Sequence, residues 1–246
     1  MITHALPGGQ GHRLRGFAVK QIAGDLRGSV QAKAAAEKTG QTAGFYRRIG
    51  KRAFDLVLVF AALPVALPLI VFFAALITLR GGAPFYGHWR IGREGRAFRC
   101  WKLRSMVRDA DAKLSRYLAE HPEAREEWEA GFKLENDPRI TPVGLLLRRS
   151  SLDELPQLFN VLRGDMSCVG PRPVTRAETS FYGADLELCQ KMRPGLTGLW
   201  QVSGRNRLSY AGRVALDVNY VHHCSAWLDL QILLRTFWAM IRASGR

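Results

Sequence analysis

Residues 148–174 hold the densest grouping of side chains suited to chemistry: Arg148 and Arg149, then Ser151-Leu152-Asp153-Glu154, then a Gly-Pro-Arg-Pro turn that can present Arg172. Ser151 and Glu154 have capping-box spacing, in which each side chain accepts from the other's backbone N–H at a helix start. Two adjacent carboxylates flanked by arginines also suit phosphoryl chemistry. Guanidinium groups and helix-start amides attract phosphate, and a carboxylate beside them can attack phosphorus or hold a divalent cation. A second cluster, RPGLTGLWQVSGRN, places Arg193, Arg205 and Asn206 on glycine-rich backbone beside Trp200. Glycine admits backbone amides close to a polyanion and arginine grips phosphate oxygens in pairs, while a basic loop over acidic lipid is the competing account. Lys102, Arg104 and Arg108 form a further basic stripe. Asp217, at helical spacing within 214–220, fits either a site or a surface.

These groups follow a run from Leu56 to Leu79, LVLVFAALPVALPLIVFFAALITL, whose only strongly polar side chain is Thr78. Such a run suits a membrane helix. Pro64 and Pro68 near its middle each remove a backbone donor, which predicts a break. The pieces on either side would rise only roughly 12 and 16 Å, each about half of a ~30 Å hydrocarbon core. Arg47, Arg48, Lys51 and Arg52 precede the run, and Arg80, Arg90, Arg93, Arg96 and Arg99 follow it. Basic flanks at both ends favour the cytoplasmic face for both, which a re-entrant helix satisfies and a single crossing does not. A proline-kinked span is the simpler alternative.

Past Arg80 the chain turns soluble in character. Aromatic and β-branched residues around Gly92 and Gly95 predict a hairpin over 84–103. Residues 109–129 read as a solvated helix broken at His121-Pro122, and 141–149 and 152–162 as two short helices. Gly, Pro, Arg and Asn dominate 164–212, which suits loops around a ligand better than a packed core. The apolar stretch 228–241, with Trp227 and Trp238, fits an interfacial amphipathic helix or a core helix. The whole is an α-rich α+β pattern: a flexible extension over 1–45, a re-entrant membrane helix over 46–80, and a catalytic domain over 81–246 with a short hairpin and interfacial amphipathic helices.

Of 246 residues, 47% are hydrophobic, too many for a disordered tail. Cys100, Cys168, Cys189 and Cys224 show neither zinc-site nor disulfide spacing, and read as thiols in a reducing compartment. The formal charge of +15 calls for an anionic partner: nucleic acid, acidic lipid or a phosphorylated substrate.

In motif order, SSLDELPQLFNVLRGDMSCVGPRPV, RPGLTGLWQVSGRN and LDVNYV, behind a basic-flanked apolar segment, resemble the bacterial sugar transferase family, the monotopic phosphoglycosyl transferases. The resemblance covers about residues 45–241. It implies an enzyme on the cytoplasmic face of the bacterial inner membrane that moves a hexose 1-phosphate from a UDP-sugar to a polyprenyl (undecaprenyl) phosphate, releasing UMP and starting exopolysaccharide assembly. By the same resemblance Asp153 would be the nucleophile, and Glu154 its partner as ligand of an assisting Mg²⁺ or as proton acceptor. Arg172 and Arg205 would contact phosphate, with Arg148, Asn206 and Asp217 in support. Lys102 and Arg104 join the expected substrate-binding set as part of the basic stripe. Anionic membrane lipid is an expected partner, nucleic acid is not, and a homodimer stays open. Some members carry serine before the helix-breaking proline, where this chain has Leu63. The rival expectation is a non-catalytic, membrane-tethered basic protein that binds nucleic acid or anionic lipid; it accounts for the charge and leaves the dyad idle.

Overall fold

The apolar side chains of Leu56–Leu79 offer the backbone no polar competitor, and they form part of one long helix, α1 (Lys51–Leu79). The computed structural model describes residues 44–131, 134–205 and 208–244, so the extension expected over 1–45 lies outside the described residues except for Gly44 and Phe45. The chain divides into Met1–Arg48 and Ile49–Arg246, and every element named below belongs to the second unit.

Helical structure runs unbroken through Pro64 and Pro68, so the interruption into two segments expected from the prolines is not seen. Proline's fixed φ is itself compatible with a helix. What it withholds is an N–H, which leaves the Phe60 and Pro64 carbonyls without their donor four residues on. At about 1.5 Å per residue, α1 is roughly 44 Å long.

One stripe of α1, Val59, Ala66, Ile70, Phe73 and Ile77, is buried, while Val57, Phe60, Val65, Leu67, Val71 and Phe72 are exposed. Both ends of α1 dock on the rest of the unit. At the start, Lys51 pairs with Asp229 at 2.6 Å, Arg52 donates to the Leu162 carbonyl at 2.7 Å, and Asp55 accepts from the Ser167 hydroxyl and the Cys168 amide, each at 2.9 Å. Toward the end, Ile70, Phe73 and Ile77 pack with Leu103, Val143 and Leu147 in one apolar cluster. Lys51, counted in the sequence as part of a basic flank, is thus a buried structural cation.

The expected hairpin forms as β1 (Phe85–Ile91) and β2 (Ala97–Leu103), antiparallel with Phe85 opposite Leu103 and Ile91 opposite Ala97. The solvated helix divides, as its His-Pro step predicts, into α2 (Ala110–Glu120) and α3 (Pro122–Gly131). Then come α4 (Pro142–Ser150), a 3-10 turn at Leu152–Glu154, and α5 (Gln157–Arg163).

Residues 164–212 are more packed than the ligand-wrapped loops their composition suggested. They contain β3 (Ser167–Val169) and β4 (Gly195–Thr197), a short parallel pair, with α6 (Asp185–Gln190) between them and α7 (Leu199–Val202) after. Met166 and Val169 are fully buried. A Cβ on Gly195 would lie 2.1 Å from the Gly170 amide nitrogen, so these glycines serve backbone-to-backbone packing rather than approach to a polyanion. The chain closes with α8 (Tyr210–His223) and α9 (Ala226–Ser244). Helix α9 combines both expected characters: Asp229 and Ile232 are buried, whereas Trp227, Leu230, Leu234, Phe237 and Trp238 are exposed. All four cysteines are buried thiols outside any disulfide. A helix-rich fold with a small hairpin and one long apolar helix is compatible with a monotopic membrane protein.

Candidate functional site

Helix α4 begins at Thr141, whose hydroxyl accepts from the Gly144 amide at 2.9 Å. Its first turn lies flat against the end of β2, where a Cβ on Gly144 would sit 1.9 Å from the Ser105 carbonyl oxygen. Only glycine permits that approach, and it brings Arg148, one turn on, to donate to the Ser105 hydroxyl at 2.8 Å. The helix then ends on Ser151, whose backbone is left-handed at φ 58°. Its hydroxyl makes no capping bond, so the capping box expected of Ser151 and Glu154 does not form; Ser151 terminates one helix instead of starting another. The reversal sets Asp153 and Glu154 in the 3-10 turn ahead of α5.

Asn160 fixes that turn against β2. Fully buried on α5, it accepts from the Trp101 amide at 3.0 Å and donates to the Arg99 carbonyl at 2.7 Å. Lys102, the next residue on β2, therefore meets the dyad: its Nζ lies 2.5 Å from Glu154 and 3.8 Å from Asp153. Burial works against the Lys102 charge, but Glu154 and Asp153 outweigh it and hold the ammonium above the ordinary lysine value. Burial pushes the Asp153 carboxyl up, Lys102 pulls it down, and Glu154 pushes it up again. Burial prevails, so the carboxyl is held above its ordinary value, and the facing cation offsets only part of the cost of the ionised form that a nucleophile requires.

A cavity of about 770 Å³ lies over the dyad, within the usual size of a small-molecule site. Asp153, Glu154, Lys102, Arg104, Arg148, Arg172 and Arg205 all line it, so the structure brings together seven residues drawn from three separate stretches of sequence. Two expected members are placed otherwise. Asn206 lies outside the described residues. Asp217 is fully buried on α8 behind the cavity, where it accepts from the Arg172 amide at 3.0 Å and the Tyr182 hydroxyl at 2.8 Å. It holds the Gly-Pro-Arg-Pro turn rather than facing a ligand.

Arg172 is poised by Trp200 of the second motif and by groups the sequence did not single out. Its guanidinium stacks 5.1 Å from the centre of the Trp200 ring, which Arg213 also faces at 5.4 Å. Glu178 accepts from Arg172 at 3.4 Å and from Arg90 at 3.0 Å. Burial opposes the charge on Glu178, but the Thr175 amide and the two arginines hold its carboxyl below the usual range. Ser105 and Arg139 also line the cavity without a motif to announce them, as does Gln201 from within the second motif. The arrangement is one of many fixed cations around two carboxylates, suited to receiving a diphosphate.

Among the described residues no three His, Cys, Asp or Glu side chains gather as a metal cage. Mg²⁺ does not require one, since it is commonly held by one or two carboxylates together with substrate phosphates. The oxygen donors of Asp153 and Glu154, already facing one cation in Lys102, fit that pattern.

Comparison with known proteins gives a consistent picture. A family model described as bacterial sugar transferase matches residues 46–243. The UDP-galactose-lipid carrier transferase of Erwinia amylovora is 49% identical over 198 residues, covering 80% of this chain and 42% of that protein. The exopolysaccharide production protein ExoY of Rhizobium meliloti is 48% identical over 206 residues, covering 82% of this chain and 91% of that protein. The UDP-glucose:undecaprenyl-phosphate glucose-1-phosphate transferase of Escherichia coli is 36% identical, covering 77% of this chain and 39% of that protein. The chain thus spans less than half the length of some of these relatives and nearly the whole of ExoY.

Proposed function

The chain belongs to the bacterial sugar transferase family, and on that premise we propose that it is a phosphoglycosyl transferase. It moves a hexose 1-phosphate from a UDP-sugar to undecaprenyl phosphate and releases UMP, the first membrane step of exopolysaccharide synthesis. The observation that carries this is the Asp153-Glu154 pair, held against Lys102 on the floor of an arginine-lined cavity. Names of the relatives that include UDP-galactose, UDP-glucose and undecaprenyl phosphate support the substrate classes.

A diphosphate ester repels an incoming carboxylate, so its charge must be neutralised before attack. Arg172 and Arg205 bind phosphate oxygens, while Lys102 and Arg148 offset part of the negative charge around Asp153. A carboxylate oxygen of Asp153 attacks the phosphorus that bears the sugar. The bond from that phosphorus to the bridging oxygen breaks, and UMP leaves with the electron pair. Lipid phosphate then attacks the same phosphorus and frees Asp153. Glu154 takes the proton of an acceptor that arrives as the monoanion. Asp153 and Glu154 would hold Mg²⁺, which would supply further neutralisation of the diphosphate.

The same reading lays α1 in one leaflet of the inner membrane, with a bend at Pro64 and Pro68, where two carbonyls lack their donors, returning both ends to the cytoplasmic face without ending the helix. Support comes from the docking of both its ends on the unit that carries the dyad, together with its exposed apolar face. The net charge of +15 holds the protein on anionic lipid, at about 1 kcal/mol for each basic residue near the surface.

Detergent-solubilised protein supplied with UDP-galactose alone should release UMP and gain the mass of a hexose phosphate on the peptide containing Asp153. Added undecaprenyl phosphate should remove it. Asp153→Asn should lose roughly 10³-fold or more in turnover, as removal of a nucleophile does. Full turnover by that variant would overturn the assignment.

A further inference from the structure

A second cavity, of about 320 Å³, opens beside the first between α1, α5 and α9. Leu58 and Ala62 of α1, Leu158 of α5, and Leu233 and Ala239 of α9 form its walls. The two threonine hydroxyls that face it are engaged with protein partners: Thr236 donates to the Ile232 carbonyl at 2.8 Å and accepts from Thr197 at 2.7 Å. The cleft is therefore apolar in effect. Ser151, Glu154, Gln201 and Arg205 border both cavities, so the apolar cleft ends at the turn that carries the reacting carboxylates. On its outer side, Val57 and Phe60 of α1 and Leu234 and Phe237 of α9 are exposed. An apolar channel from a lipid-facing surface to a phosphate-binding site matches a molecule that is hydrocarbon at one end and phosphate at the other.

We propose that this cleft seats the isoprenoid units nearest the phosphate of the lipid acceptor, which enters sideways from the bilayer between α1 and α9. The inference rests on the transferase reading and adds to it a separate acceptor site. Arg205, common to both cavities, takes the acceptor phosphate. There an acceptor oxygen forms its bond to the phosphorus on Asp153 as the aspartyl oxygen–phosphorus bond breaks, and the electron pair returns to the carboxylate. A volume at the lower edge of ligand pockets admits only the head of the chain, and the remaining units stay in lipid.

The half-reactions separate this site from the donor site. Ala62→Trp and Ala239→Phe fill the cleft from opposite walls. With UDP-galactose alone, each variant should form the Asp153 adduct and release UMP within about twofold of the unchanged protein. On addition of undecaprenyl phosphate, removal of the adduct should slow roughly tenfold or more, as expected for an overfilled apolar site. Removal at the unchanged rate in both variants would overturn the proposal and assign the cleft to an ordinary phospholipid tail. Equal loss of both half-reactions in both variants would overturn it too. Absence of any adduct in the unsubstituted protein would instead overturn the transferase reading itself.

Discussion

Two lysine–carboxylate pairs sit in different parts of this molecule and serve opposite ends. Lys51 and Asp229 join the start of α1 to α9 with side chains 8% and 0% exposed, and Tyr220 donates to the second Asp229 oxygen at 2.7 Å. Lys102 and Glu154 are 33% and 36% exposed at the floor of the cavity, and Asp153 competes for the same ammonium. The first pair is sealed and hydrogen-bonded beyond the ion pair, so its partners cannot be exchanged without leaving a bare charge in the interior. The second is open, shared and screened by water, so an incoming anion or cation can re-pair it. The same two chemical groups make a staple in one place and an exchangeable contact in the other.

Breaking the staple should have the larger effect on the fold. Asp229→Ala should cost about 3–5 kcal/mol in thermal melts in detergent, and replacing both partners, as Lys51→Met with Asp229→Leu, should recover most of it. A single-variant loss below about 1 kcal/mol would remove the distinction between the pairs. Lys102→Met should behave inversely, with stability changed by less than about 1 kcal/mol and kcat/KM for the UDP-sugar lowered roughly 10²-fold.

Asp217 sharpens the comparison as a buried carboxyl held by a phenol and an amide. Burial pushes it up to about 6 from the ordinary 3.8. The native state therefore holds this proton more tightly than the unfolded chain. Stability is full below about pH 4, falls as the pH rises to about 6 and then levels off. Melts of Asp217→Asn should lack that slope, a difference of order 3 kcal/mol across the window. The smallest effect is expected at Ser151. Glycine there removes the cost of the left-handed backbone and should add about 0.5 kcal/mol, whereas a loss of about 1 kcal/mol would restore a capping role to the serine.

The hairpin and the helices after it were legible because their signals are local: alternating strand residues around glycines, and a His-Pro step dividing two helical turns. The cavity's charged residues were legible as motif members, since Arg148, Asp153, Glu154 and Arg172 lie within 25 positions of one another. Their supports were not. Asn160 bonds to Arg99 and Trp101 some 60 positions away, and Glu178 gathers Arg90 from 88 positions away. An Asn or Glu that works across such distances looks in sequence like any surface residue. Pro64 and Pro68 misled in the other direction, because a missing donor alters hydrogen bonding without forcing the helical dihedrals to end. The glycines of 164–212 misled because tight backbone packing and open loop share one composition.

The docking of both ends of α1 on one body bears on how the protein reaches its place. On the re-entrant topology proposed above, a helix anchored in this way would bring its neighbours on either side back to the same surface, and neither basic flank of α1 would have to be carried through hydrocarbon. Insertion would then follow folding, with an already assembled body settling its oily side into the nearest monolayer.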